Sequence, residues 1–303
     1  MNGIICLVEG SYWDGITAII NSAIRNKFVG NIFLGFRGEV PNWIYKFKKS
    51  ISNNQFVINK NIQLNIIPLQ SRRHLGYEKV FFISEILKKN EVEKIFYFDI
   101  DCVAVADFDF FNLWCDKHIA LCMDECYTYI HPNHPWKLYW LKKLLEYHYP
   151  IYHLEHPCVN SGFIGISKIN FDFIETWKNL TLKLELEGLN TSCFNKDALI
   201  PIQGDQEILN MALIAIETKK VSIIGTEGMG FSEPSYLMVH CTKPEKPWSK
   251  NFLSTFIKHG YSISNKEKKY INYLLSPHNN LGKRKNLTVK IDIFLTKLIS
   301  RLF

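Results

Sequence analysis

Asp99 and Asp101 close the run Lys94-Ile95-Phe96-Tyr97-Phe98-Asp99-Ile100-Asp101, in which an apolar strand leads directly into an Asp-x-Asp pair. Side chains alternate along a strand, so two acids spaced by one residue face the same way at its end. In open α/β sheets, ligands collect just beyond the carboxyl ends of the strands. Two carboxylates placed there form a hard oxygen site for a divalent cation, the arrangement that holds and neutralises a phosphate-bearing substrate. The same pair also suits a solvated turn, a helix N-cap, or the nucleophile and acid/base of an aspartyl-phosphate phosphohydrolase.

Four further groups accompany the pair. In Val159-Asn160-Ser161-Gly162-Phe163, a small polar turn precedes an apolar strand. Asn160 and Ser161 offer hydrogen bonds to hydroxyls, and Gly162 allows a close backbone approach. Gly204-Asp205-Gln206-Glu207 opens an apolar helix, where Asp205 also satisfies an N-cap position. His240 and Lys246 lie in Val239-His240-Cys241-Thr242-Lys243-Pro244-Glu245-Lys246-Pro247-Trp248, after a late strand. The imidazole is a borderline nitrogen ligand and Lys246 a charge donor for phosphate. Lys79 opens the helix that precedes the Asp-x-Asp strand.

The elements that must position these groups alternate. Strand-like runs cover Ile4–Val8, Ile32–Phe36, Ile62–Ile67, Ile95–Phe98, Ile119–Met123, Phe163–Ser167, Val221–Ile224 and Leu237–His240. Ile16, Ile19, Ile20, Ala23 and Ile24 share one helical face, and further helices are expected over Lys79–Lys89, Trp136–Tyr147, Phe171–Glu187 and Asp205–Ile216. Strand-helix alternation in the first hundred residues argues a parallel sheet with crossover helices. With 303 residues, 47% of them hydrophobic, the chain can bury one large α/β core. Met1–Glu9 reads as a first strand rather than a signal peptide, and no stretch is long and apolar enough to span a bilayer. The eight cysteines contain no Cys-x-x-Cys pair and read as reduced thiols of a cytosolic protein. Between Cys126 and Cys158, Tyr, Trp and His cluster, as core filler or as a platform for a ring-shaped polar ligand.

Together the motifs resemble the retaining glycosyltransferases that include glycogenin and the bacterial lipooligosaccharide galactosyltransferases, glycosyltransferase family eight, over roughly residues 3 to 255. The likeness is carried by Phe98-Asp99-Ile100-Asp101, Asn160-Ser161-Gly162, Gly204-Asp205-Gln206 with Leu209-Asn210, and His240 with Lys246-Pro247-Trp248. It implies a GT-A fold, an α/β Rossmann-like mixed sheet flanked by helices, over residues 1–255, with a helical C-terminal extension over 256–303. It implies a UDP-sugar donor and Mn²⁺ (or Mg²⁺) held by Asp99, Asp101 and His240. By the same resemblance, Lys246 holds the donor diphosphate, and Lys79 faces the donor sugar or diphosphate. Asn160 and Ser161 touch sugar hydroxyls, and Asp205 and Gln206 lie at the reacting face. Val8, Glu9 and Tyr12 stand where the family contacts uracil and ribose. Glu9 replaces a shorter acid, and Lys243 replaces a glycine whose N–H meets a phosphate. The expected reaction moves a hexose or N-acetylhexosamine to a glycan or lipid-linked glycan acceptor with retention, in bacterial lipopolysaccharide, capsule or surface-glycan synthesis.

Two other classes compete. A phosphohydrolase would use Asp99 and Asp101, but its motif usually opens the fold and a later acid pair completes it. A non-catalytic nucleotide-sugar-binding module would keep the fold alone. Net charge is +7, of which +5 falls between Lys283 and Phe303, so the body is not a nucleic-acid-binding surface. In that tail Leu287, Ile291, Phe294, Leu298 and Leu302 share a helical face. A basic amphipathic helix lies on anionic membrane, which implies a cytoplasmic protein held peripherally at the membrane's cytoplasmic face. The alternative is a helix docked on the body or on a second copy of the chain.

Overall fold

β1 (Asn2–Glu9), β2 (Gly30–Arg37), β5 (Ile62–Pro68) and β6 (Lys94–Phe98) form where apolar runs are bracketed by polar residues, and α1 (Trp13–Arg25) and α2 (Leu75–Lys89) lie between them. The computed structural model describes residues 1–49, 54–89, 92–197, 199–260, 262–275 and 286–300. β3 (Lys48–Lys49) and β4 (Gln55–Asn59) add an antiparallel edge. Beyond β6 come β7 (Cys102–Ala104), α3 (Phe108–Trp114), β8 (Ile119–Cys122), α4 (Pro135–Glu146), β9 (Phe163–Ser167), α5 (Phe171–Leu186), α6 (Asp205–Ile214), β10 (Val221–Ile224) and β11 (Met238–His240). The chain ends in α7 (Phe252–His259), α8 (Asn265–Leu274) and α9 (Asn286–Ile299).

Among the described residues the main sheet runs β10-β8-β9-β6-β1-β2-β5-β4-β3. It is mixed: β6, β1, β2 and β5 are parallel, while β9 inserts antiparallel between β6 and β8. The chain moves outward from β1 to β2 and β5, then returns past β1 to β6. This reversal opens a crevice beyond the carboxyl ends of β1 and β6.

Both faces of the sheet are covered, which is why its strands are apolar almost throughout. Ile4, Cys6, Val8, Phe96 and Phe98 face a core shared with α1 and α3, while Ile5, Leu7, Ile95 and Tyr97 face one shared with α2, α5 and α6. Trp136 and Trp140, from the aromatic segment, enter the second core, while Tyr127 and Tyr129 stay exposed. Tyr270, Tyr273 and Leu274 of α8 belong to the first core, so the chain beyond residue 255 helps to support the crevice from below.

Several boundaries differ from expectation. α2 begins at Leu75, so Lys79 lies one turn inside it rather than at its start. β7 and β11 form a separate two-stranded antiparallel ribbon. In α9, Val289, Asp292 and Thr296 are buried, while Ile291, Phe294 and Leu298 are exposed. Asp292 accepts from the Phe252 and Leu253 N–H groups, each at 2.9 Å, and so caps α7. The helix therefore docks on the body and still presents an apolar outer face. Lys283–Lys285 and residues 301–303 of the tail, with the Leu287 side chain, lie outside the described residues.

Candidate functional site

Asp99 and Asp101 stand in a tight turn between β6 and β7, not on the strand itself. Cys102 N–H donates to the Asp99 carbonyl at 2.8 Å, closing the turn, and Asp99 N–H donates to the Gly162 carbonyl at 2.8 Å. Ile100 is buried between the two acids, and its carbonyl accepts from the Tyr270 hydroxyl at 2.7 Å. A side chain on Gly15 would place its Cβ 2.4 Å from Ile100 and 2.8 Å from Trp248, so only glycine leaves room for both. Trp248 thereby anchors the loop that carries Lys246.

The ribbon delivers His240. It pairs with Cys102, and Cys241 N–H donates to the Asp101 carbonyl at 2.9 Å. His240 Nε2 comes 3.1 Å from Asp101 Oδ1 and 3.9 Å from Asp99 Oδ2. Nδ1, on the other side of the ring, is buried with no hydrogen-bond partner among the described residues. One ligand atom from each of Asp99, Asp101 and His240 lies within 4.8 Å of the others. Two hard oxygens and an imidazole nitrogen at that spacing fit a divalent cation such as Mn²⁺ or Mg²⁺.

Cationic side chains complete the charge balance. Lys246 Nζ donates to Asp101 Oδ2 at 2.5 Å. Burial opposes ionisation of Asp101, but His240 and Lys246 beside it outweigh that and hold its carboxyl well below the usual range. Lys79, 1% exposed, donates to Asp205 Oδ2 at 2.9 Å and to the Ser161 carbonyl at 2.7 Å, and lies 3.5 Å from Asp99 Oδ1. Burial works against its charge, yet Asp205 and Asp99 keep its pKa above the ordinary lysine value. Tyr97 donates its hydroxyl to Asp99 Oδ1 at 2.8 Å, and burial together with the Asp99 carboxylate pushes the phenol well above its usual pKa.

These groups line a cleft of about 750 Å³. Glu9, Tyr12, Lys79, Asp99, Asp101, Ser161, Asp205, Gln206 and Lys246 border it. Gln206 Oε1 accepts from Ser161 N–H at 3.3 Å. Four expected residues do not border the cleft, and His240 is one of them, standing beside Asp101 at 3.1 Å. Val8 is wholly buried in the core, because the β1 alternation turns it away from the cleft. Asn160 spends its amide on the loop: Nδ2 donates to Asp124 at 2.8 Å and Oδ1 accepts from Gly162 N–H at 2.9 Å. Lys243 is exposed and does not border the cleft.

Other residues join that the motifs did not single out. Phe194 packs against His74 with ring centres 4.0 Å apart and planes tilted by 45°, seated against Gly76 and Gly204. Glu207 accepts from Gly204 N–H at 2.7 Å; burial raises its pKa, partly offset by that bond. Tyr97 is the omission with a readable signal, since it sits two residues before Asp99 on the same face.

No family model matches the chain, and no curated protein matches it. Solved structures do. The glycosyltransferase GlyE of Streptococcus pneumoniae TIGR4 superposes with a TM-score of 0.54 at 16% identity, over 98% of this chain and 64% of that one. The apo structure of the bifunctional glycosyltransferase WbbM gives 0.55 at 12% identity, over 97% and 52%. The fold is a glycosyltransferase fold. This chain spans less than two thirds of GlyE and about half of WbbM.

Proposed function

We propose that the chain is a metal-dependent glycosyltransferase that moves a hexose or N-acetylhexosamine from a UDP-sugar to a glycan acceptor, with retention, in bacterial surface-glycan synthesis. One observation carries this reading: Asp99, Asp101 and His240, drawn from two distant segments, converge within 4.8 Å, and the two acids border a cleft large enough for a nucleotide sugar. The three residues would hold Mn²⁺ or Mg²⁺, which supplies charge neutralisation on the donor diphosphate. Lys246 adds a positive charge for the same leaving group. Asp205 and the Gln206 amide oxygen present negative charge to a sugar ring that becomes cationic as its anomeric bond breaks. Lys79, locked to Asp205 and Ser161, sets the position of both. Glu9 and Tyr12, at the end of β1, border the part of the cleft assigned to the nucleoside.

The acceptor assignment, a lipid-linked glycan at an anionic membrane surface, draws support from the exposed Ile291, Phe294 and Leu298 of α9, flanked by Lys290 and Lys297. Among the described residues no helix is long and apolar enough to cross a membrane.

A panel of nucleotide sugars, scored for Mn²⁺-dependent thermal stabilisation and for release of the free sugar, tests the reading. UDP-sugars are expected to stabilise and to turn over, and Asp101→Asn is expected to abolish both effects. Failure of every nucleotide sugar, with phosphate released from simple phosphate esters instead, would replace the transferase by a phosphohydrolase.

A further inference from the structure

The two oxygens of the Asp99 carboxylate have different surroundings. Oδ1 accepts the Tyr97 hydroxyl at 2.8 Å and lies 3.5 Å from Lys79 Nζ. Oδ2 faces His240 Nε2 at 3.9 Å. Asp99 is the more exposed of the two acids, its side chain 33% accessible against 9% for Asp101. A carboxylate on a short, accessible side chain can turn about its Cβ–Cγ bond, since that torsion is broad. Something must therefore decide which oxygen looks toward the imidazole.

Tyr97 is built to decide it. It is 3% exposed and sits in the middle of the sheet, paired with Ile5 of β1 on one side and Ile164 of β9 on the other. Strand alternation puts Tyr97 and Asp99 on the same face, so the phenol reaches along the strand to the carboxylate that follows. Lys79 Nζ lies 4.8 Å from the centre of the Tyr97 ring, closing that side. The donor is buried, and the acceptor is partly exposed.

We infer that Tyr97 is a positioning residue for the candidate metal centre: its hydroxyl holds Asp99 Oδ1, so that Oδ2 is presented toward the cation site. This inference rests on the metal-dependent reading above. It also joins the metal side of the cleft to the sugar side, because Tyr97, Asp99, Lys79 and Asp205 form one chain of contacts from β6 to the start of α6. Partners of metal-ligating carboxylates commonly govern metal affinity through orientation.

The test is Tyr97→Phe in the full chain, which keeps the ring and removes only the hydroxyl. Mn²⁺ binding is followed without nucleotide, by the free-ion electron paramagnetic resonance signal. Circular dichroism and Tm, both without metal, report folding. Mn²⁺ affinity is expected to fall about tenfold, within the ~10–100-fold range seen for such partners. Tm without metal should change little. Donor-sugar hydrolysis should return to the wild-type rate at saturating Mn²⁺, because the residue acts through Asp99. Wild-type Mn²⁺ affinity in the folded variant would overturn the inference alone. So would a loss of activity that excess Mn²⁺ does not restore, since that marks a residue touching substrate. A wild-type protein that binds no Mn²⁺ would overturn the metal-dependent reading itself and this inference with it.

Discussion

Gly162→Ala separates a site that needs the His240 ring from one that merely sits near it. A Cβ on Gly162 would lie 2.3 Å from His240 Cε1, 2.8 Å from Nδ1 and 2.9 Å from Asn160 Oδ1. Ordinary van der Waals contact starts at 3.4 Å, so the ring must retreat by about 1 Å. Phe231 packs on the ring with centres 5.7 Å apart and obstructs that retreat. The backbone of Gly162 has no positive φ, so the glycine is required for space rather than for conformation. A misplacement of about 1 Å at a positioned group costs on the order of 10²-fold, or about 2.7 kcal/mol. Overpacking itself destabilises by roughly 1–3 kcal/mol, which leaves a domain of this size folded. Calorimetry of UDP binding at fixed Mn²⁺ should therefore show an affinity about a hundredfold weaker, in a protein with a modestly lowered Tm. Unchanged UDP affinity in a folded Gly162→Ala variant would refute the placement of His240 in the site.

Lys246→Met should split the two ligands. Lys246 donates to Asp101 Oδ2 at 2.5 Å, so its loss leaves that oxygen free: Mn²⁺ alone should bind at least as well as in the wild type, while UDP affinity at saturating Mn²⁺ falls about tenfold or more. Calorimetry of each ligand separately checks this, and weaker binding of Mn²⁺ alone would contradict it. Lys250 and Glu267 form a buried pair at 2.6 Å, each side chain 5% exposed, so Lys250→Met should destabilise the fold by about 3–5 kcal/mol, read from the denaturant midpoint. His156 is pushed down to about 4 by burial, which the Pro157 carbonyl partly offsets. Its folded pKa lies below the unfolded value near 6.5, so the unfolded chain takes the proton first. Stability is then lost as pH falls from about 6.5 to about 4, by up to about 3 kcal/mol. His156→Leu should flatten that limb of the pH–stability curve, and an unaltered slope would assign the acid sensitivity to other groups.

What was legible in the sequence is what is local. β1, β2, β5, β6 and β9 announce themselves as apolar runs with polar ends, because both faces of the sheet are covered and nothing polar interrupts them. The Asp-x-Asp pair and the Asp205–Gln206 helix start were legible for the same reason: a few adjacent residues carry the whole signal. Phe194 was not, since its seat is made by Gly76 and Gly204, and its own neighbours form a polar loop without periodicity. Gly162 was legible as a close approach, but the partner that needs the space is the ring of His240, not a ligand.

β7 shows the limit most clearly. It is three residues long, too short to stand out from Cys102-Val103-Ala104, and its only strand partner among the described residues is β11, more than 130 positions later. That pairing converts two separate motifs into one site, because the same ladder that aligns Cys102 with His240 brings the imidazole to Asp101. Closing so long a loop is entropically costly and contributes nothing until the contacts behind it form. Those contacts are Ile100 on Gly15, Trp248 against the same glycine, and Tyr270 on the Ile100 carbonyl. Each is an ordinary apolar or hydrogen-bonding residue in its own segment. The acids and the imidazole are therefore readable as chemistry, while the reason they meet is written in Gly15 and Tyr270, which carry no signature, and in Trp248, which is legible only as part of the Lys-Pro-Trp motif.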